Sequence, residues 1–215
     1  MTNERAIARS LMEIGAVSLR AEPPFVWASG RFSPIYCDNR LLMSDPVRRK
    51  QVAEGFASTL AEQGWQPDVI AGTATAGIPH AAWLADLLGL PMVYVRGAAK
   101  GHGKGNRIEG RLERKAKVVL IEDLVSTGGS SLEAANALLE AGAELIGVAA
   151  IFTYGLPVAA QRFADAGVAL ATLTDFDQLM EEALSQGQLT PSEKAIVADW
   201  KRDPGEWSSS RGGAS

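Results

Sequence analysis

The sequence predicts an α/β fold, a parallel sheet flanked by helices on both faces and carrying a small N-terminal hood. Three observations carry that expectation. Short aliphatic runs such as 69–71, 92–95, 118–121 and 145–152 alternate with helix-forming stretches, the pattern of strands joined by crossover helices. Val118, Val119, Leu120 and Ile121, bounded by Lys117 and Glu122, read as a strand buried on both faces. The segment from Phe25 to Asp38 follows Pro23-Pro24, contains Gly30 and Pro34, and reads as short antiparallel strands outside the series.

The elements follow in order. Ile7, Leu11 and Ile14 share one helical face behind a cap at Thr2 or Asn3, giving a helix that ends before Gly15. The hood comes next. Asp45-Pro46 opens a helix whose buried face holds Val52, Phe56 and Leu60. Strand 69–71, helix 78–88, strand 92–95 and strand 118–121 lead to helix 130–141, which stops at Gly142. Strand 145–152, helix 158–166 and strand 168–173 complete the alternation. Two helices close the chain, 175–185 behind Thr174, and 192–201 behind Thr190-Pro191 with Glu193 completing a capping box. The expected organisation is one domain over 1–205, with the hood mainly in 1–40 and the core from about 45. Residues 206–215 read as a disordered tail.

Composition narrows the function. The 215 residues are 47% hydrophobic and 21% charged, ordinary for a globule able to bury a sizeable core. A net charge of -4 gives no footprint for nucleic acid, and the basic run Arg48-Arg49-Lys50 reads as a solvated helix face. Cys37 is the one cysteine, so no intramolecular disulfide forms and a reducing compartment fits. Charges at Glu4, Arg5, Arg9 and Glu13 interrupt the apolar positions of the first helix, unlike a signal peptide, and no apolar run reaches the ~18 residues of a membrane span. The expected location is cytoplasmic.

The chemistry centres on residues 117–130. Thr127, Gly128, Gly129 and Ser130 join a strand to a helix, and in open α/β sheets ligands bind at the carboxyl ends of strands. The glycines let backbone N–H groups wrap an anion at the positive end of the helix, which suits a phosphate monoester. Glu122 and Asp123, just before the loop, are placed to accept hydrogen bonds from vicinal hydroxyls such as those of a ribose. Residues 97–110 break the βα pattern. They hold five glycines, three basic side chains and His102 without hydrophobic periodicity, as a cationic lid over a polyanion would. Lys100, His102 and Lys104 alternate with glycine there.

The acid pair followed by Thr-Gly-Gly-Ser resembles the phosphoribosyl-diphosphate motif of type I phosphoribosyltransferases. Within that superfamily the stretches 25–38, 72–79 and 95–106 resemble the orotate phosphoribosyltransferases, and the likeness spans roughly residues 10 to 205. The resemblance implies a type I phosphoribosyltransferase-like sheet and transfer of the phosphoribosyl group of 5-phosphoribosyl 1-diphosphate (PRPP) to orotate. It implies Mg2+ held mainly through PRPP, with no direct protein ligand, and a homodimer whose lids reach into the neighbouring sites. PRPP would be bound by Arg96, Lys100, His102 and Lys104 and by Glu122, Asp123, Leu124, Val125, Ser126, Thr127, Gly128, Gly129 and Ser130. Lys100, His102 and Asp123 would be catalytic, and Thr73, Ala74, Thr75, Ala76 and Gly77 would form a diphosphate loop. Orotate would meet Ser126 and Tyr36. The chain departs from the pattern of many relatives at Ala28, Thr75-Ala76 and Gly97, where they carry lysine or Tyr-Lys, and at Tyr154-Gly155-Leu156, where some carry arginine. A purine phosphoribosyltransferase shares the phosphate loop, so the hood must select the base. A regulator keeping the fold as a sensor would need an added nucleic-acid module, and the sequence contains neither a helix-turn-helix nor excess positive charge.

Overall fold

A computed structural model describes residues 3–27, 29–97 and 107–214. Helix α1 (Asn3–Glu13) leads into β1 (Val17–Leu19), β2 (Phe25–Val26), β3 (Phe32–Ser33) and β4 (Ile35–Cys37). β1 pairs antiparallel with β4, and β2 antiparallel with β3. A 3-10 helix (Asn39–Ser44) then brings the chain to α2 (Pro46–Glu62). Asp45 caps α2, its carboxylate accepting from the N–H groups of Val47 and Arg48 at 3.0 Å each, and Pro46 fits the first turn, where no partner awaits its missing N–H.

The main sheet follows. It is built from β5 (Val69–Thr73), β6 (Met92–Val95), β7 (Ile108–Glu109), β8 (Lys117–Val125), β9 (Glu144–Thr153) and β10 (Leu170–Asp175). Their spatial order is β10-β9-β8-β5-β6-β7, parallel except for the antiparallel pair β6 and β7. The chain leaves β5 in one direction, toward β6, and returns on the other side at β8. The β5–β8 pair is therefore the topological switch point, beside which open α/β sheets bind ligands.

Helices cover both faces, as the buried strands require. On one side α1, α2, α3 (Gly77–Leu88), α6 (Phe176–Ser185) and α7 (Pro191–Arg202) share a core with Val119 and Ile121. On the other α4 (Gly129–Glu140) and α5 (Pro157–Asp165) pack on Val118 and Leu120. These four strand residues are fully buried, each worth about 1.5–3 kcal/mol of transfer free energy. Helix α1, expected with the hood, is tied to the core. Arg5 and Arg9 reach the buried Glu182 of α6 at 2.7 and 2.6 Å.

Four segments differ from the sequence expectation. The strand expected to stop at Ile121 runs to Val125, so both acids lie within it. Acidic residues are poor strand formers, but β9 is long enough to keep pairing, with Glu122 opposite Ala150 and Val125 opposite Thr153. Residues 107–110 were expected in the unpacked lid, yet Ile108 is buried and β7 pairs with Tyr94 and Val95. The expected disordered tail instead begins inside α8 (Pro204–Ser209), where Trp207 and Ser208 are buried. The signal was apolar surface: one tryptophan in a polar tail can anchor it. Helix α6 also begins one residue later than expected, because Asp175 caps it by accepting from Gln178 N–H at 2.9 Å.

Candidate active site

Two adjoining clefts open beside the switch point. The first, of about 390 Å3, lies between the β5–α3 turn (Thr73 to Ala76), the end of β8 (Glu122 to Leu124), Ser130 and the hood residues Cys37 to Arg40. The second, of about 480 Å3, is walled by Val26, Trp27, Tyr36, Ser126 and Tyr154. Cys37 and Leu124 line both, so the two spaces meet there.

The acids are held unequally. Glu122 is 5% exposed, and its carboxylate accepts from Ser131 Oγ at 3.0 Å and from the Asp123 N–H at 3.1 Å. Burial first, and then the neighbouring Asp123 charge, pushes Glu122 well above the usual carboxylate range; burial raises Asp123 as well. Two adjacent carboxylates in a low-dielectric site resist double ionisation, so the pair holds its last proton to higher pH than a free carboxylate would. The main-chain carbonyl of Asp123 accepts from the buried Asn39 Nδ2 at 2.7 Å. That bond ties the hood to the acid-bearing strand.

The phosphate-sized loop is shaped by one glycine above all. Gly128 has φ +79°, and a Cβ there would stand 2.9 Å from the Phe163 ring. Both conformation and space exclude a side chain. Arg162, reaching over from α5, donates to the Thr127 carbonyl at 3.1 Å and braces the loop from outside. Helix α4 begins at Gly129 without a side-chain cap, which leaves its first-turn N–H groups available to an anion.

A second turn, between β5 and α3, faces the same cleft. Thr73 ends β5 with its Oγ1 buried and unpartnered, Ala74 N–H donates to Val95 O at 2.9 Å, and α3 begins at Gly77 without a side-chain cap. A Cβ on Gly77 would fall 2.5 Å from the carbonyl oxygen of Ile121. Glycine lets α3 approach β8 closely enough to bring turn and acids together.

The second cleft is aromatic. The Tyr154 ring stacks on Trp27 at 6.1 Å and meets Trp200 and Phe152 edge-on at 5.3 and 5.5 Å, and Tyr36 leans on Phe25 at 5.8 Å. Such rings give a flat, apolar slot with hydroxyls at its rim. Burial, followed by the nearby Asp123 and Asp38 charges, pushes the Cys37 thiol up, so it stays a neutral wall group.

The structure thus assembles Thr73 to Ala76, Glu122, Asp123, Leu124 and Ser130 around one cleft, and Tyr36 with Ser126 around the next. Gly77 sits just behind the turn; Val125 is buried in the strand. Arg96 follows β6 on the same sheet edge, but its guanidinium lies 3.5 Å from Glu109 and does not line the cleft. Its N–H donates to Arg107 O at 2.8 Å, which closes the base of the glycine-rich segment. Lys100, His102, Lys104 and Ala28 lie outside the described residues. Asn39, Arg162 and Trp27 were not singled out from sequence as site residues. Their partners are distant in the chain, and no local pattern marks them. Among the described residues no group of three or more His, Cys, Asp or Glu side chains could hold a metal ion, and no helix is long and apolar enough to cross a membrane.

Comparison with known proteins agrees with this geometry. The Phosphoribosyl transferase domain family matches residues 45–168. The chain is 53% identical over 207 residues to the orotate phosphoribosyltransferase of Listeria monocytogenes serotype 4b (strain F2365), covering 96% of this chain and 99% of that one. It is likewise 53% identical over 201 residues to the orotate phosphoribosyltransferase of Bacillus subtilis (strain 168), covering 94% and 93%. Among solved structures, the orotate phosphoribosyltransferase of Aeropyrum pernix superposes with a TM-score of 0.74 at 29% identity, covering 86% of this chain and 99% of that one.

Proposed function

Since the chain belongs to the orotate phosphoribosyltransferases within the phosphoribosyl transferase family, we propose that it joins N1 of orotate to the anomeric carbon of PRPP, releasing diphosphate and orotidine 5'-monophosphate for pyrimidine nucleotide synthesis. The observation that carries this reading is the meeting of the two clefts at Cys37 and Leu124. A sugar phosphate fits the polar cleft, a flat base fits the aromatic one, and the junction is where a bond between them would form.

Each residue then has a role. The amides from Thr127 to Ser130 cradle the 5-phosphate, and Asp123, beside Glu122, accepts from the ribose hydroxyls. The turn that follows β5 offers the N–H groups of Thr75 to Gly77 to the diphosphate, with the buried Thr73 Oγ1 free to bond it. As the C–O bond to diphosphate breaks, positive charge grows on the ribose and negative charge on the leaving group. Fixed carboxylate charge on one side and cations on the other favour that charge separation over the ground state. We assign the cations to Arg96, Lys100, His102 and Lys104; closure of the segment bearing the last three would exclude water that could otherwise capture the sugar. Ser126 and Tyr36 are the polar groups offered to orotate.

Mg2+ suits this donor set. Magnesium is ordinarily held by one or two carboxylates plus substrate phosphates, which matches an acid pair beside two anion cradles better than an all-protein cage would. When bound with PRPP it would offset charge on the leaving diphosphate. Asp123 would hold it through the ribose oxygens. A homodimer is part of the proposal, supported by the lid resemblance and by Leu41, Met43 and Val47, which stand exposed along the stretch from the 3-10 helix into α2. A cytoplasmic location fits the single unpaired thiol of Cys37.

The test is loss of orotate absorbance in the presence of PRPP and Mg2+, with adenine and hypoxanthine as alternative bases. PRPP-dependent loss with orotate alone supports the reading; turnover of a purine instead would overturn it. Lys100→Ala should depress turnover severely with the fold intact, and Asp123→Asn should raise the KM for PRPP.

A further inference from the structure

The aromatic cleft has a wall that cannot stand alone. Val26 and Trp27 belong to the short hairpin of β2 and β3, which pairs Phe25 with Ser33 and Val26 with Phe32 and closes with Trp27 N–H on Arg31 O and Gly30 N–H on Trp27 O at 2.8 Å each, while Trp27 Nε1 donates to Ile35 O at 3.3 Å. An isolated two-stranded hairpin is marginally stable at best in water, and Val26 is 66% exposed. Something else must fix this hairpin against the sheet.

The segment 204–214 does so. Ser208, fully buried, uses its hydroxyl twice: Oγ accepts from the Phe32 N–H at 2.8 Å and donates to the Ala214 carbonyl at 2.5 Å. Ala214 in turn donates its N–H to the Gly30 carbonyl at 3.0 Å. Between them the backbone of Gly213 packs close to both Ser208 and Phe32, so that an added Cβ would stand 2.5 Å from Ser208 Oγ and 2.8 Å from Phe32 Cγ. Trp207 anchors the segment to α7, its Nε1 donating to the Ile196 carbonyl at 3.2 Å. The same α7 supplies Trp200, which meets the edges of both Trp27 and Tyr154. The hairpin therefore hangs from the end of the chain on one side and from an aromatic cluster on the other.

We propose that residues 204–214 form a latch that positions the base-binding wall, with Ser208 as its central positioning residue. The assignment rests on the aromatic cleft being the site for orotate. Among the described residues the latch bonds to the hairpin at Phe32 and Gly30 and to α7 at Ile196, away from the residues lining the polar cleft, so its loss acts chiefly on one substrate. If release lowers the fraction of molecules with the wall in place to about one tenth, the apparent orotate affinity falls about tenfold in proportion.

The experiment compares the parent, Ser208→Ala, and a chain ending at Gly212, which lacks the Ala214 bonds and the Gly213 contact but keeps α8. The KM values for orotate and PRPP and amide hydrogen exchange over residues 25–33 are measured for each. The expected result is an orotate KM raised about tenfold, a PRPP KM within about twofold of the parent, and faster exchange at 25–33 with the β8 amides unchanged. Equal rises in both KM values, or no change in either, would overturn the latch. Should Ser208→Ala not fold, the chain ending at Gly212 decides alone. If the parent fails to consume orotate, the functional reading falls, while exchange at 25–33 still decides the latch: faster supports it, unchanged overturns it.

Discussion

Replacing Gly77 by alanine should damage catalysis far more than stability. The added Cβ would sit 2.5 Å from Ile121 O and 3.3 Å from Ile121 C, against about 3.4 Å for ordinary contact. Backbone meets backbone here, so no side chain can swing aside, and α3 must retreat from β8 by roughly 0.9 Å. Overpacking of this kind costs about 1–3 kcal/mol, offset by about 0.4–1 kcal/mol from the reduced freedom of the unfolded chain. For a chain of this length a net loss near 1–2 kcal/mol lowers Tm by about 2–8 °C. The same displacement parts the β5–α3 turn from the acids, and misplacement by about 1 Å costs on the order of 100-fold in rate. Thermal melting and the orotate absorbance assay read the two effects separately. A Gly77→Ala variant that melts within this range and keeps kcat/KM within about twofold of the parent would refute the argument that this approach sets the site.

Further outcomes follow from the buried polar groups. Glu122→Gln removes the carboxyl whose hydrogen bond lowers Asp123, while the burial that raises Asp123 remains, so the acid limb of kcat/KM for PRPP should move up in pH; a limb that stays or moves down would show that Glu122 does not stabilise the Asp123 charge. Asn39→Leu leaves the Asp123 carbonyl without its donor, and should lower Tm through a loss of about 1–3 kcal/mol and reduce kcat more than about tenfold, both read by melting and turnover; wild-type turnover would remove Asn39 from the site. At Glu182 burial acts to raise the pKa, but hydrogen bonds from Arg5, Arg9 and Gln186 outweigh it and hold the carboxylate at about 2. A folded pKa below the unfolded value of 4.5 stabilises above that value and is lost as pH falls toward 2. Glu182→Gln should therefore lower Tm at pH 7, and the gap to the parent should narrow between pH 5 and 3; a gap constant with pH would contradict this.

The sequence made the alternation of buried strands and helices legible because the aliphatic runs and caps are local. Asp45, Thr190 and Gly142 punctuate their helices as read, and the capping box at Thr190 and Glu193 is formed. Ends set by distant pairing were not legible. Glu122 and Asp123 lie in a strand only because β9 runs alongside to Thr153, and Ile108 is buried only because β6 lies next to it. Glu122, Asp123 and Ser130, which line the polar cleft, stand close together in the sequence at the carboxyl end of a strand, so their proximity was legible. Asn39, bonded across 84 positions to Asp123, and Ser208, bonded across 176 positions to Phe32, carry no such mark. Their contribution lies in which backbone atoms they meet, and folding alone determines that.

The junction at Cys37 and Leu124 divides the labour between separate parts of the chain. In the proposed function one substrate is handled by turns fixed to the sheet, the other by a hairpin and rings added at its margin. Selection for a different acceptor can therefore rework residues 25–37 and 154 while the donor machinery is left untouched, which makes this architecture a ready source of enzymes sharing one activated sugar and diverging in what they attach to it.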